Sequence, residues 1–375
     1  MLDGVPRCQH VPATCPGCAG ALDRWRTVPS SEPRFAPARY ELWRCGACGT
    51  AVTGNPVGSA SPDDPPGHDP LASGPDPRAA GADPRAAGPD LHASGSYRRR
   101  VPHLHRLARP LLDRFDRERL GLLARLCPAG ARVIDAGAGQ GRFVARAQAA
   151  GYDAWGFDPH PRGTGVARGA LETIELPAGR ADAVTLWHAL EHVSDPGAAL
   201  RRVHGWLAPG GAVIIAVPNL DSWQARAGGA DWFHLDVPRH RTHFTPAGIG
   251  RLLHREGFTV LAVQHRLLEH NPFGLWQTAL NRIGGRPSWL FALLKGNGRW
   301  DWVQAGLCLA AVPLVPLAIA VEALAGTRSH GGTIVVLARR RGVRTSVHGA
   351  ASGRRFGRDA DAGAGPARRS SPPGS

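Results

Sequence analysis

Residues 132–143 read RVIDAGAGQGRF, and this stretch decides the fold. An apolar strand from Arg132 to Ala136 runs into three glycines at alternate positions, and a helical pattern follows from Arg142. Glycine allows a positive φ and leaves no Cβ in the way, so a ligand can lie against the backbone where the strand ends. The stretch therefore predicts a nucleotide-type ligand site at the carboxyl end of a strand.

The spacing of the glycines argues against a dinucleotide. The Gly-x-Gly-x-x-Gly fingerprint, counted from Gly137, needs a glycine where Arg142 stands. Asp135, two residues before the first glycine, would repel a pyrophosphate and attract a cation. Asp158 ends the next apolar run, where a carboxylate can accept the hydroxyls of a ribose. The pattern favours a positively charged adenosine compound.

The stretch Val133–Gly141 resembles the first motif of class I S-adenosylmethionine-dependent methyltransferases. Leu186–Pro196, Leu207–Gly211 and Pro238–Phe244 resemble later motifs of the branch that includes small-molecule methyltransferases similar to ubiquinone-biosynthesis enzymes. The resemblance covers residues 97–341 and implies that S-adenosylmethionine is the cofactor. The residues expected to bind it are Asp135, Gly137, Gly139, Gly141, Asp158, Trp187 and His188.

The rest of this region alternates predicted strands and helices. Strands are expected at residues 153–157, 171–176, 183–187 and 212–217, and Asp195 can cap a helix that has Pro196 at its first position. Such alternation is typical of an α/β fold with a doubly wound, mainly parallel sheet. The resemblance adds a Rossmann-like antiparallel last strand, with residues 258–264 and 332–338 paired at the sheet edge, and a helical lead-in that covers the cofactor crevice.

Four of the seven cysteines form two C-x₂-C pairs, Cys15 with Cys18 and Cys45 with Cys48. Two such pairs complete a tetrahedral site, so we expect structural zinc in a ribbon at residues 8–54. A redox pair would instead need one motif beside a βαβ unit. Reduced thiolates indicate a cytoplasmic protein. Residues 55–96, which have almost no large apolar side chains, and residues 342–375 are expected to be a linker and a basic tail without stable structure.

The segment from His188 to His192 is the first candidate for chemistry. His188 and His192 are four residues apart, with Glu191 between them. Some ubiquinone-pathway relatives use a Glu-His pair for a divalent ion, which leaves a metal site open. The alternative is that these side chains shape the cofactor pocket by hydrogen bonds.

The loop Leu235–Phe244 is the second candidate, because loops at strand ends carry function in this architecture. Methyl transfer requires a nucleophile held in line with the sulfonium carbon and the removal of its proton. Histidine suits that proton transfer. His240 is the preferred catalytic base and His243 the reserve, while hydrogen bonds from either ring to backbone are the alternative.

Residues 267–330 form an insertion that ends in an apolar run, Val303–Ala325. Its length is that of a transmembrane helix, but both flanking strands belong to one sheet, and Pro313 and Pro316 interrupt the run. We expect either a re-entrant or interfacial hairpin that contacts the inner face of the membrane through residues 300–325, or an apolar lid over the acceptor site. Either version suggests a bulky or lipid-linked acceptor.

Two classes of function follow. The first is an S-adenosylmethionine-dependent methyltransferase that modifies a small or lipid-linked molecule, preferably on oxygen. The second is a zinc-ribbon nucleic-acid-binding protein or RNA-directed methyltransferase. The formal net charge of +15 does not favour nucleic acid, since nine arginines and two aspartates fall in the stretch from Arg339 onward, and Lys295 is the only lysine.

Overall fold

In the part of the chain that the structure describes there are two β-sheets, one of four strands and one of seven. The computed structural model describes residues 11–32, 37–57, 102–163, 165–267, 269–284, 288–294 and 300–342. Most of the predicted linker and tail lies outside these residues. The strands are β1 (Asp23–Pro29), β2 (Arg39–Arg44), β3 (Ala51–Pro56), β4 (Arg132–Ala136), β5 (Asp153–Asp158), β6 (Val166–Arg168), β7 (Ala181–Trp187), β8 (Leu207–Pro218), β9 (Thr242–His243), β10 (Phe258–Gln264) and β11 (Thr333–Arg340).

Helices cover both faces of the larger sheet and form the insertion. They are α1 (Pro102–Ala124), α2 (Arg142–Ala149), α3 (Pro196–Trp206), α4 (Trp223–Gly228), α5 (Pro246–Arg255), α6 (Asn271–Arg282), α7 (Trp289–Leu294), α8 (Trp302–Ala311) and α9 (Val315–Thr327). Asp195 caps α3 by accepting from Ala198 N at 2.9 Å, and Thr245 caps α5 by accepting from Gly248 N at 3.0 Å. The start of α3 confirms the prediction for Asp195 and Pro196.

The seven strands lie in the order β10-β11-β8-β7-β4-β5-β6, and only β11 runs antiparallel to its neighbours. Side chains of β8 alternate between the two faces, as the pleat requires. Val213, Ile215 and Val217 pack with α3 and α5, whereas Ala212, Ile214 and Ala216 pack with α1 and α2. Helices on both faces confirm the predicted doubly wound α/β sheet with an antiparallel last strand.

The N-terminal segment forms the four-stranded antiparallel sheet, in the order β1-β2-β3-β9. Tyr40 and Leu42 of β2 are fully buried, and they pack with Trp232, Leu235 and Val237 of the α/β region. The fourth strand, β9, comes from the loop that holds the predicted catalytic histidines. The ribbon and the α/β region therefore share one sheet and one small core within the compact unit Met1–Gly342.

One predicted strand is wrong. Residues 171–173 form a turn, in which Ile174 N donates to the Ala170 carbonyl at 2.8 Å, residues 174–176 have no regular structure, and the edge strand is β6 instead. Leu171, Ile174 and Leu176 pack against the core from outside any strand, and Ile174 also packs against Gly169. Their apolar character reflected burial rather than strand pairing.

The predicted hairpin in the apolar run is also wrong. Helices α8 and α9 follow each other through a 3₁₀ turn at Val312–Leu314, and the residues that flank this turn keep right-handed helical angles. Proline removes a hydrogen-bond donor, and a tightened turn accommodates that loss without reversing the chain. Trp302–Thr327 is thus one helical stretch of 26 residues, long and apolar enough to cross a membrane by length and composition.

Substitution of Gly156 in β5 tests how tightly the glycine loop packs against this sheet. A Cβ on Gly156 would lie 2.6 Å from Ala138 Cβ and 2.9 Å from both Asp135 O and Val144 Cγ2. We expect Gly156→Ala to lower the free energy of unfolding by about 1–3 kcal/mol, because the loop and α2 must move. Gly121→Ala is the control, since nothing lies within 4 Å of its Cβ and alanine favours helix. Equal urea midpoints for the two variants would contradict this packing.

Candidate active site

The glycine loop between β4 and α2 lines one end of a cavity of about 710 Å³. Gly137 has a φ of 82°, and its N–H donates to the Phe157 carbonyl at 2.9 Å, which ties the loop to the end of β5. A Cβ on Gly137 would lie 2.9 Å from Ala189 Cβ, so the close approach of the two loops also requires glycine. Gly137 and Gly139 both line the cavity and present backbone to a ligand.

Asp158 lies on the wall of the same cavity, at the end of β5. Its Oδ2 accepts from Gly139 N at 2.9 Å and its Oδ1 from His160 N at 2.8 Å. These bonds fix the orientation of the carboxylate. Each carboxylate oxygen can accept more than one hydrogen bond, so the group retains the capacity to accept two neighbouring hydroxyls.

Two other predicted cofactor residues lie behind the wall. Asp135 is buried beside β7 and accepts from Thr185 Oγ1 at 2.7 Å. Burial raises its pKa to about 6 despite that hydrogen bond. Gly141 precedes the first residue of α2 with a φ of 71°. Neither residue lines the cavity in the part of the chain that the structure describes, so a direct contact with a ligand stays a prediction for both.

Trp187 and His188 follow at the end of β7 and line the cavity. The guanidinium carbon of Arg119 lies 4.9 Å from the centroid of the Trp187 ring, and Arg119 also pairs with Glu269. Arg119 belongs to α1, so the helical lead-in contributes to the cavity wall. His188 adopts a φ of 55°, which is uncommon outside glycine. This backbone directs its Nδ1 to within 3.0 Å of Glu191 Oε1.

Glu191 is fully buried, and His188, His192 and His240 lie around its carboxylate. Burial alone would raise its pKa. The hydrogen bond from His188 and the charges of nearby histidines outweigh that effect and lower the pKa of Glu191 to about 2. Burial lowers the pKa of His192 to about 4. One atom each of Glu191, His192 and His240 lies within 4.8 Å of the other two, and Glu191 Oε2 has no hydrogen-bond partner among the described residues. This donor set could hold a divalent transition metal.

The two predicted catalytic histidines have different surroundings. His240 lines the cavity, and its Nδ1 lies 2.8 Å from the His234 carbonyl oxygen. His243 is buried in β9, where its Nε2 lies 2.9 Å from Thr53 Oγ1 of the ribbon. Within the described chain His243 is not part of the cavity wall. Only His240 is placed to meet a ligand, and a catalytic role for His243 stays a prediction without support from the geometry.

Several residues of the cavity wall were not predicted from the sequence, among them His234 and three phenylalanines. The ring of Phe233 packs edge-on against Phe273 of α6 and Phe291 of α7, at centroid distances of 5.5 and 5.1 Å. Burial lowers the pKa of His234 to about 3. No spacing in the sequence links residues 233, 273 and 291, because packing of the insertion on the sheet brings them together. They give the cavity an aromatic end.

The four thiols predicted to bind zinc converge at one end of the ribbon. Cys15 Sγ lies 3.5 Å from Cys48 Sγ, Cys18 Sγ lies 3.5 Å from Cys45 Sγ, and all four lie within 4.8 Å of one another. A tetrahedral zinc ion with Zn–S bonds of about 2.3 Å separates its sulfurs by about 3.8 Å. The thiols therefore fit a zinc ion.

The ribbon also contacts the loop that carries His240. Strand β3 pairs with β9, with Val52 opposite Thr242 and Ala51 opposite His243. Thr53 Oγ1 donates to the His240 carbonyl at 2.6 Å, and Thr53 N donates to the Arg241 carbonyl at 2.9 Å. The backbone of the cavity loop is thus held by the last strand of the ribbon.

Comparisons with known proteins identify the family. A family model described as a methyltransferase domain matches residues 100–263. Ubiquinone biosynthesis O-methyltransferase from Xanthomonas axonopodis pv. citri (strain 306) is 30% identical over 169 residues, which cover 39% of this chain and 70% of that protein. The chain is a class I S-adenosylmethionine-dependent methyltransferase. Its cofactor is S-adenosylmethionine, whereas binding of nucleic acid by the ribbon stays a prediction.

Other relatives of this methyltransferase are similar over shorter stretches or at lower identity. The ubiquinone biosynthesis O-methyltransferase of Escherichia coli O7:K1 is 32% identical over 148 residues, 34% of this chain and 61% of that protein, which is less than two thirds of its length. A solved S-adenosylmethionine-dependent methyltransferase from Mesorhizobium loti is 21% identical, with a TM-score of 0.37, and the match covers 59% of this chain and 96% of that one.

Asp158 gives a direct test of the cofactor site in this methyltransferase. We expect Asp158→Ala to weaken S-adenosylmethionine binding by about ten- to a hundredfold, since hydrogen bonds to a charged group contribute about 1.5–3 kcal/mol. Asp153→Ala, at the exposed opposite end of β5, is the matched control. Isothermal titration calorimetry measures both variants. Unchanged affinity for Asp158→Ala would exclude a role for this carboxylate in cofactor binding.

Proposed function

We propose that the methyltransferase transfers a methyl group to an oxygen of a small or lipid-linked acceptor that binds at the aromatic end of the cavity. The observation that supports this is the continuity of the cavity, which joins Gly137, Gly139 and Asp158 to His240 and to Phe233. Cofactor and acceptor can then share one cavity. The aromatic rings suit an apolar or ring-containing acceptor, while the histidine suits its hydroxyl.

His240 is proposed as the catalytic base. Its Nδ1 faces a carbonyl oxygen, which can only accept, so the proton of the neutral ring resides on Nδ1 and the lone pair on Nε2. Burial lowers the pKa of His240, which favours the neutral ring at pH 7. Nε2 lies 3.8 Å from Asp236 Oδ2 and 4.0 Å from Glu191 Oε1, and these carboxylates would stabilise the imidazolium that forms.

The proposed reaction is an in-line displacement. The acceptor oxygen forms a bond to the methyl carbon as the bond from that carbon to sulfur breaks, and His240 Nε2 takes the hydroxyl proton. The products are a methyl ether, S-adenosylhomocysteine and one proton released later to solvent. The chain's contribution is to orient the two substrates and to exclude water. If a divalent ion occupied Glu191, His192 and His240, these residues would act as its ligands instead, and the ion could polarise the acceptor oxygen.

The base assignment is tested with His240→Gln. We expect methyl transfer to fall by about 10²–10⁴-fold, the usual contribution of a general base, with little change in cofactor affinity. Incorporation of labelled methyl groups into small-molecule and lipid extracts, followed by mass spectrometry, measures the rate and identifies the acceptor. His254→Gln, at an exposed position of α5, is the control.

Two outcomes would contradict this assignment. The first is a normal rate for His240→Gln. The second is activity of the wild-type enzyme that disappears on dialysis and returns only with an added divalent cation while the zinc content of the ribbon stays constant, because the buried cluster would then be a metal site.

We also propose that the ribbon binds a structural zinc ion through Cys15, Cys18, Cys45 and Cys48, and that the protein is cytoplasmic, where thiolates stay reduced. A module this small depends on its metal for stability. RNA is not favoured as an acceptor. Guanidinium carbons of Arg26 and Arg44 lie 3.5 and 4.9 Å from the centroid of the Trp25 ring, so the protein's own side chains already stack on it.

Loss of zinc should impair catalysis from a distance. We expect Cys45→Ser to lose the bound metal and to loosen the pairing of β3 with β9, which holds the His240 backbone. Methyl transfer should then fall by about tenfold or more while cofactor affinity stays within about twofold, since the ribbon pairs with β9 whereas the glycine loop is bonded to the end of β5. Elemental mass spectrometry, hydrogen exchange at residues 242–243 and calorimetry measure these effects.

The control for this prediction is Cys308→Ser, a partly buried thiol of the insertion. It should keep the metal and the activity. A Cys45→Ser protein without metal but with full activity would show that the ribbon has no part in positioning the loop.

A further inference from the structure

The outer face of α8 and α9 exposes large apolar side chains along its whole length. Trp302 is 79% exposed, Leu309 75% and Leu317 59%. Only 17% of the most apolar window of this helical stretch is buried. Surface patches of this kind and size mark a contact with another apolar phase.

The inner face of the same helical stretch is covered by α6. Trp276 Nε1 donates to the Ala311 carbonyl at 2.8 Å, and Leu280 packs in one cluster with Ala311 and Ala318. The helices are therefore fixed on the body of the enzyme. The outer face therefore has a fixed position on the folded protein.

Almost no polar side chain interrupts that outer face. Between Trp302 and Thr327 the polar residues are Gln304, Cys308, Glu322 and Thr327. Gln304 and Glu322 are buried, and Glu322 accepts from Gln224 Nε2 at 2.9 Å and from Gly332 N at 3.0 Å. A protein partner would bring hydrogen-bonding groups and would usually meet a polar rim, whereas hydrocarbon needs neither. The chemistry of the face favours lipid.

The insertion leaves and rejoins the sheet at one place. At its start Asn271 Nδ2 donates to the His265 carbonyl at 3.3 Å. At its end His330 N donates to the Ala325 carbonyl, and Trp223 N donates to the His330 carbonyl. Because β10 and β11 pair in the same sheet, the body of the enzyme stays on one side of any bilayer that the insertion touches. This geometry suits a helix that lies in the interface.

Basic residues outnumber acidic ones in the sequence that leads into this face, where the one carboxylate, Asp301, caps α8 by accepting from Val303 N and Gln304 N. From the end of α6 to Trp300 the sequence holds four basic residues and no acidic one, namely Arg282, Arg286, Lys295 and Arg299. Arg282 is exposed, as is the neighbouring apolar side chain of Ile283. Trp300 and Trp302 follow this segment and are exposed, with ring centroids 5.2 Å apart. Basic charge and tryptophan beside an apolar surface match the headgroup region of an anionic membrane.

We propose that the outer face of α8 and α9 docks the methyltransferase onto an anionic lipid bilayer, with Trp300 and Trp302 at the headgroup level. The docking itself does not depend on the identity of the acceptor. It deepens the proposed function at one point: Phe273 and Phe291, on the helices between this face and the cavity, line the cavity. A lipid-linked acceptor would then have only a thin protein layer to cross.

The test is flotation of the full-length protein with phosphatidylcholine vesicles, with and without phosphatidylglycerol. We expect the wild type to float with the anionic vesicles and less with the neutral ones. Leu309→Glu combined with Leu317→Glu should lower the partition coefficient by about tenfold or more per substitution, since each removes a buried leucine from the lipid. Leu261→Glu, a half-exposed leucine on β10 outside the insertion, is the control and should float like the wild type.

Calorimetry with S-adenosylmethionine shows that each variant is folded, and it separates this proposal from the proposed reaction. Wild-type protein that binds the cofactor but floats with neither kind of vesicle would overturn the proposal. A dimer in detergent-free solution that the double substitution dissociates, without any flotation, would also overturn it, because a second copy would then cover the face. Flotation of wild type and Leu261→Glu but not of the double variant supports it, even where no methyl acceptor has been found.

Discussion

The arrangement of the active site depends on the pairing of β3 with β9. Only two residue pairs form the ladder, yet Thr53 adds bonds to the backbone of His240 and Arg241 and a contact with His243. The loop that precedes β9 has little regular structure of its own, so ordering it costs conformational entropy. The ribbon offsets that cost by presenting a preformed strand edge. A module that looks separate in the sequence thereby fixes one wall of the cavity.

Backbone carbonyls then set the chemical state of the buried histidines. His240 Nδ1 faces the carbonyl of His234, and His192 Nδ1 faces that of Arg239 at 3.0 Å. A carbonyl selects the tautomer with a proton on Nδ1, and burial lowers the pKa of both rings. Neutral rings with a lone pair on Nε2 are the form that either a general base or a metal ligand requires.

Local features of the sequence predicted much of this molecule. The glycine spacing at residues 137–141 and the two C-x₂-C pairs predicted the loop and the thiol cluster, because each pattern encodes a short-range backbone requirement. Long-range placement was less accessible. Asp135 was expected in the crevice, but the pleat of β4 directs it to Thr185. Nothing in the sequence links Thr53 to His240, which are 187 residues apart. The apolar residues at 171–176 and 303–325 indicated two apolar segments but not the path of the backbone through them.

The insertion has two apolar surfaces, one that lines the cavity and one that faces outward. Phe273 and Phe291 face the cavity, while Leu309 and Leu317 face outward on helices that pack against α6. Drawing a hydrocarbon chain into water costs about 0.8 kcal/mol per CH₂ group, so extraction of a long-tailed acceptor would dominate its binding. An enzyme that rests on the bilayer avoids most of that cost, because the tail can stay in lipid while the head enters the cavity. A water-soluble acceptor would give no reason for an apolar outer face. The proposed acceptor class and the proposed docking surface therefore rest on separate observations that favour the same substrate.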